Sequence, residues 1–298
     1  MPDLSQNVVT QYSNNVYAML QQKGSKLSNC CTPYKMKGER GTIERSGATE
    51  AQLATGLYGD SPIIATPMDR RSIYGFEYVW GDMVDWKQDE NTLIDPTSAV
   101  TAAGYKALGR TMDRVIIERG IFGAAFEGKD GQTEVAFPDS QKLAVTAGGD
   151  GKNCGLNLEK LIQARSLIGN ADVDTDDPDE KLYFVYTQKQ MDDLLRTTEV
   201  KSADYNTVKA LYDGTVKHFM GFEFVRLSKQ LIPLLDGGIR TCFAFAKSCV
   251  AFANPVPITS RLAERADKQF NLYAFMKMKC GATRFEDGGV VHIPCLEA

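Results

Sequence analysis

One helix signal dominates this chain. Asp95 is a good N-cap, and Pro96 suits the first helical position. The run PTSAVTAAGYKALGRTMDRVIIERGIFG carries the pattern to about Gly120, with Val100, Ala103, Ala107, Thr111 and Val115 on one stripe. About 24 residues at about 1.5 Å each make a rod of roughly 36 Å, long enough to be the spine of a domain. Gly104 and Gly109 should each weaken it by about 1 kcal/mol unless something packs closely there.

The segments around this rod are mixed. Residues 1–33 are polar, but Tyr12, Val16, Met19 and Leu20 recur at helical spacing. That arm has too little apolar surface for a core and must pack on something else. Residues 34–50 alternate loosely and are charged, and residues 69–80 (DRRSIYGFEYVW) read as a strand. Together they predict a long two-stranded hairpin with an irregular tip. Such a hairpin is marginal alone in water and needs a partner surface.

Further on, Asn157 should cap a helix with Leu158, Leu161, Ile162, Leu167 and Ile168. KLYFVYT (181–187) reads as a buried strand, QKQMDDLLR (188–196) as a short helix and residues 202–214 as another. GFEFV (221–225), RTCFAFA (240–246), ITSRLAER (258–265), FNLYAFMKMKCGATR (270–284) and VVHIP (290–294) form a β-rich end. Helices and strands intermix without βαβ regularity, so the expected class is α+β.

Composition narrows the function. The 298 residues suit one large domain or two ordinary ones, and 43% hydrophobic content supports a real core. A formal charge of −4 argues against a protein that mainly coats phosphate. No stretch approaches 18 consecutive apolar residues, so no membrane span is expected. The start lacks a basic region followed by an apolar one, so no secretory signal is read. Seven cysteines, none in C-x-x-C spacing, suit reduced, buried thiols better than a disulfide framework.

Catalytic motifs are missing. His218 and His292 each sit among apolar residues on an expected strand. A thiol-dependent enzyme pairing His292 with a cysteine is one alternative, without a local nucleophile signature. The acidic run Asp172–Glu180 alternates like an EF-hand loop, yet Asp177 stands where Gly is needed and Tyr183 where Glu is needed. It reads as a solvated loop. The glycine clusters at 148–151 and 237–238 are not followed by Lys-Ser/Thr and read as turns. No cofactor or metal is expected.

Several segments taken together resemble a known family. They are LIDPTSAVTAAGYKALGRTMDRVII, TTEVKSADYNTVKALYDGTVKHFMGFEFVRLS and AERADKQFNLYAFMKMKCGATRFEDGGVVHIPC, with DRRSIYGFEYVWGDMVD upstream. In order and spacing they resemble the major capsid (coat) protein of tailed bacteriophages. The resemblance implies an HK97-like fold: an N-terminal arm (1–33), an extended loop hairpin (34–78), a peripheral domain (79–124 and 266–298) with a spine helix at about 96–120, and an axial domain (125–265). It implies a virion protein that self-assembles into hexamers and pentamers, closing an icosahedral head around phage double-stranded DNA. The implied partners are further copies of itself in neighbouring capsomers, a separate scaffolding protein, a portal protein and a decoration or cement protein. An encapsulin-like compartment shell is the alternative within the same fold. Candidate intersubunit residues are Lys35, Lys37, Arg40, Arg45, Arg70 and Arg71 on the hairpin and Tyr12, Val16 and Met19 on the arm. Residues 1–45 hold six Lys/Arg against three Asp/Glu, a small excess that could face DNA.

Overall fold

The computed structural model describes residues 22, 24–53, 63–84, 96–171, 173–175, 177–196, 217–232, 234–235 and 237–297. Tyr12, Val16, Met19, Asp95 and the expected helix at 202–214 lie outside them. Two compact units emerge, one built on Glu77–Thr111 and Val256–Lys279, the other on Lys26–Phe76, Met112–Pro255 and Cys280–Ala298.

The second unit is built around a six-stranded sheet. Its strands are β7 (Leu182–Tyr186), β8 (His218–Phe219), β9 (Phe222–Arg226), β10 (Leu234–Leu235), β11 (Ile239–Ala246) and β14 (Val290–Leu296). The order is β10-β11-β7-β9-β8, with β14 also paired to β11. Every residue of β7 is buried, as its unbroken apolar run requires. Phe184, Phe222, Phe243 and Phe245 are fully buried there, each contributing about 1.5–3 kcal/mol by leaving water. β7 and β9 run parallel, and the chain between them includes the short helix α3 (Gln188–Arg196). The other pairings of this sheet are antiparallel, so the class is α+β. Helix α2 (Leu158–Gly169) packs on β14 and β11. Its cap is Asn157, whose side chain accepts from Lys160 N at 2.9 Å.

The charged hairpin exists. Strands β2 (Arg40–Ser46) and β3 (Met68–Tyr74) pair antiparallel from Arg40↔Tyr74 to Ser46↔Met68. β3 continues through β5 (Ala125–Glu127) to β6 (Thr133–Val135) in one sheet. The expected strand over 69–80 is in fact two. The chain breaks at Gly75, and β4 (Phe76–Val84) joins a different sheet, of order β1-β12-β13-β4. Its other members are β1 (Thr32–Tyr34), β12 (Val250–Arg265) and β13 (Asn271–Arg284).

The dominant helix is present as α1 (Pro96–Val115). It runs directly into a π-helical stretch, Ile116–Ile121, where Phe122 N reaches back five residues to Ile117 O at 2.9 Å. Both glycines of α1 are explained by close approach. A Cβ on Gly104 would lie 2.6 Å from the Trp80 ring and 2.7 Å from Met276 Sδ. A Cβ on Gly109 would lie 2.7 Å from the Gly24 backbone. Among the described residues, no helix is long and apolar enough to cross a membrane.

Candidate assembly site

The hairpin is fixed at its root and bare toward its tip. At the root, Ile73, Met36 and Ala253 form a buried cluster with Tyr34 against it. Beside it lies a charged network. Arg71 is only 1% exposed. Its guanidinium grips Asp287 at 2.6 and 3.0 Å and Glu127 at 2.8 and 2.9 Å, and donates to Arg284 O at 2.9 Å. Arg45 bonds Asp69, reaches Glu127 at 2.8 Å, and donates to Phe285 O at 3.1 Å. Arg284, fully buried, bonds Asp287, donates to Gly123 O at 2.8 Å and lies over the Phe137 ring at 4.9 Å.

Most charges in this network stabilise one another, while burial holds Arg284 below the ordinary guanidinium value despite its bond to Asp287. Burial pushes the Asp287 carboxyl up, but hydrogen bonds from Arg71 and Arg284 outweigh it and hold it below the usual range. Burial also works against the charged form of Arg71, and its bonds to Asp287 and Glu127 more than restore it. The hydrogen bond from Arg45 holds Asp69 below the ordinary carboxylate value. Bidentate Arg–carboxylate geometry of this kind fixes direction as well as charge.

Toward the tip the chain exposes apolar side chains. Leu53 is 92% exposed, Ile63 97% and Met68 80%; Ile64 is also exposed. Nothing in the described chain covers them. These are the large apolar side chains that the described hairpin leaves in water.

The hairpin cations divide by position. Lys35 and Lys37 are exposed. Arg70 pairs with Glu44 at 3.0 Å across the hairpin, and Arg40 donates to Lys129 O at 3.0 Å and to Asp130 O. Arg45 and Arg71 are spent inside the chain, at the root. Sequence reading missed Glu127, Arg284 and Asp287. The only local hint was the charged run TRFEDGG at 283–289.

His292 lies inside the fold. It is buried on β14 and stacked face to face on Phe137, with ring centroids 3.7 Å apart. Nε2 donates to Ile121 O at 3.1 Å. Burial pushes its pKa down to about 4. The free thiols are mostly buried. Burial raises Cys30 and Cys280 to about 12 and Cys249 to about 11, far from the low values of reactive thiolates. Of the acidic run, the described residues form a loop between α2 and β7.

The bare hairpin end defines a class: chains that leave apolar side chains in water for a partner to cover. Comparison gives the family. The phage capsid protein family model matches residues 4–297, and the chain belongs to that family. It is a phage capsid protein and resides in the virion shell. Solved structures share the fold at low identity. A chain of Mycobacterium phage Che8 is 14% identical, with TM-score 0.65 over 95% of each chain. The Cyanophage Pam1 capsid asymmetric unit gives 15% identity and TM-score 0.67 over 99% of each chain. The capsid of Ralstonia phage GP4 gives 11% identity and TM-score 0.70, over 98% of this chain and 96% of that one. No curated protein matches the chain in sequence.

Proposed function

We propose that the chain assembles into hexamers and pentamers that close an icosahedral head around double-stranded DNA, guided by a separate scaffolding protein and closed at one vertex by a portal. The observation carrying this is the hairpin: a charged root locked to the body and, toward the tip, apolar side chains that no described residue covers. Burying one large apolar side chain contributes about 1.5–3 kcal/mol, and a closed shell repeats each contact at every subunit. Residues 1–33 serve as an arm, 34–78 as the extended loop, 79–124 and 266–298 as the peripheral domain, and 125–265 as the axial domain. Lys35 and Lys37 are the hairpin cations best placed to meet a neighbour. The chain works by assembly and carries no catalytic role.

The test is electron microscopy of the expressed protein, alone and with its scaffold, beside light scattering. Uniform polyhedral shells or capsomer-sized rings are expected. A monodisperse monomer or dimer under every condition would overturn the proposal.

A further inference from the structure

Within the unit that carries the six-stranded sheet, a cavity of about 640 Å³ lies beside the π-helical turn. That volume falls inside the range of sites that enclose a small molecule, roughly 300–1,000 Å³. Ile117 and Phe122 wall it from the turn, and Leu231 and Leu235 from the segment before β11. Leu235, 53% exposed, stands at its rim. Turns closed over five residues are rare and recur at functional sites, and this one supplies part of the wall.

The charges around the cavity cancel. Arg114, Lys142 and Glu118 line it, and Lys142 is paired with Asp139 at 2.7 Å, so the formal charges sum to zero. An ionic ligand would lose its hydration for no net attraction. The polar groups of the wall ask for something else. Phe137 covers one face of the His292 ring and Phe122 leans on it at 4.7 Å. Because Ile121 O can only accept, Nε2 carries the proton, and Nδ1 of the neutral ring is left as an acceptor. No described residue donates to it. Thr241 is the second polar group. His292 pairs with Phe243 across β14 and β11, so Thr241, two residues from Phe243, lies diagonally beside His292 on the same face of the sheet. Its hydroxyl has no partner among the described residues, and both side chains line the cavity. One acceptor beside one hydroxyl matches a ligand oxygen that donates and accepts at once.

We propose that this cavity binds a neutral, largely apolar alcohol, its hydrocarbon part against Ile117, Phe122, Leu231 and Leu235 and its hydroxyl between Nδ1 of His292 and the Thr241 hydroxyl. The site stands whether or not the chain forms shells.

The probe is 1-decanol, titrated calorimetrically into the full chain below its solubility limit, beside its methyl ether, which keeps the chain and the oxygen and lacks the donor. Saturable binding of the alcohol is expected, with the ether at least fivefold weaker, because Nδ1 then faces an acceptor. Leu235→Trp, at the exposed rim, should weaken the alcohol at least tenfold and leave the ligand-free melting temperature unchanged. A decanol carrying a diazirine in its chain locates the site in the unaltered protein. After irradiation, adducts within residues 114–122, 230–235 or 292–294, suppressed by excess 1-decanol, are expected. No saturable binding, equal affinity for alcohol and ether, or adducts confined to other residues would each overturn the proposal.

Discussion

Arg71 and His292 are the two residues whose burial has the clearest cost. Removing Arg71 leaves Glu127 to Arg45 alone and Asp287 to Arg284 alone in a partly buried site. The cost is then at most about 3–5 kcal/mol, that of breaking a buried ion pair outright. Arg71→Ala should therefore lower the denaturant midpoint of the unassembled subunit sharply, and an unchanged midpoint would show that the root network does not hold the hairpin. His292 gives a pH signature. Its folded pKa is depressed to about 4 from an ordinary 6.5, so the unfolded chain takes up the proton first. The stability it holds is fully present above about pH 6.5 and is lost as pH falls toward 4. The loss amounts to about 3 kcal/mol, and chemical denaturation at stepped pH should trace it. His292→Gln should flatten that part of the profile. Lys142 and Arg284 both face the ring and add to the penalty on its charged form. The acids nearest to these cations, Asp139 and Asp287, are already bonded to them.

At the scale of elements, much was legible and the gaps have physical reasons. The helix from Pro96, the Asn157 cap, the QKQMDDLLR helix and the buried KLYFVYT strand follow from local period and cap chemistry. The strand break at Gly75 was not legible, because the apolar-aromatic run continues across it while the hydrogen-bonding partner changes. The π-helical turn was also hidden, since its apolar residues extend the α-helical stripe without a gap. The root network was least visible, because Arg71 meets Glu127 across 56 residues and Asp287 across 216. Gly104 joins the two levels. The weakening expected of a helical glycine is offset by the approach of Trp80 and Met276. Gly104→Ala would gain about 1 kcal/mol of helix propensity and force both side chains to move. A net loss of about 1–3 kcal/mol is expected from such overpacking, read by thermal or urea unfolding; a more stable variant would refute the close fit.

At the scale of the whole molecule, folding and assembly should separate. Leu53→Ser with Ile63→Ser removes two almost fully exposed side chains. Subunit stability should change by less than about 0.5 kcal/mol. If each is buried in the shell, the lost contact free energy is about 3 kcal/mol or more per subunit. The protein concentration at which shells form should then rise at least about 100-fold. Light scattering against concentration measures this directly, and an unchanged threshold would show that the hairpin end is not an assembly contact.

The π-helical turn has one consequence for how chains of this kind can vary in length. A turn closed by bonds over five residues holds one residue more than an α-turn. Removing a single residue between Ile116 and Ile121 would let the stretch close as ordinary α-helix, with the strands beyond it still in register. The same deletion within α1 would rotate every later side chain by about 100°. The chain thus carries a built-in place where its length can change by one without rewriting the rest.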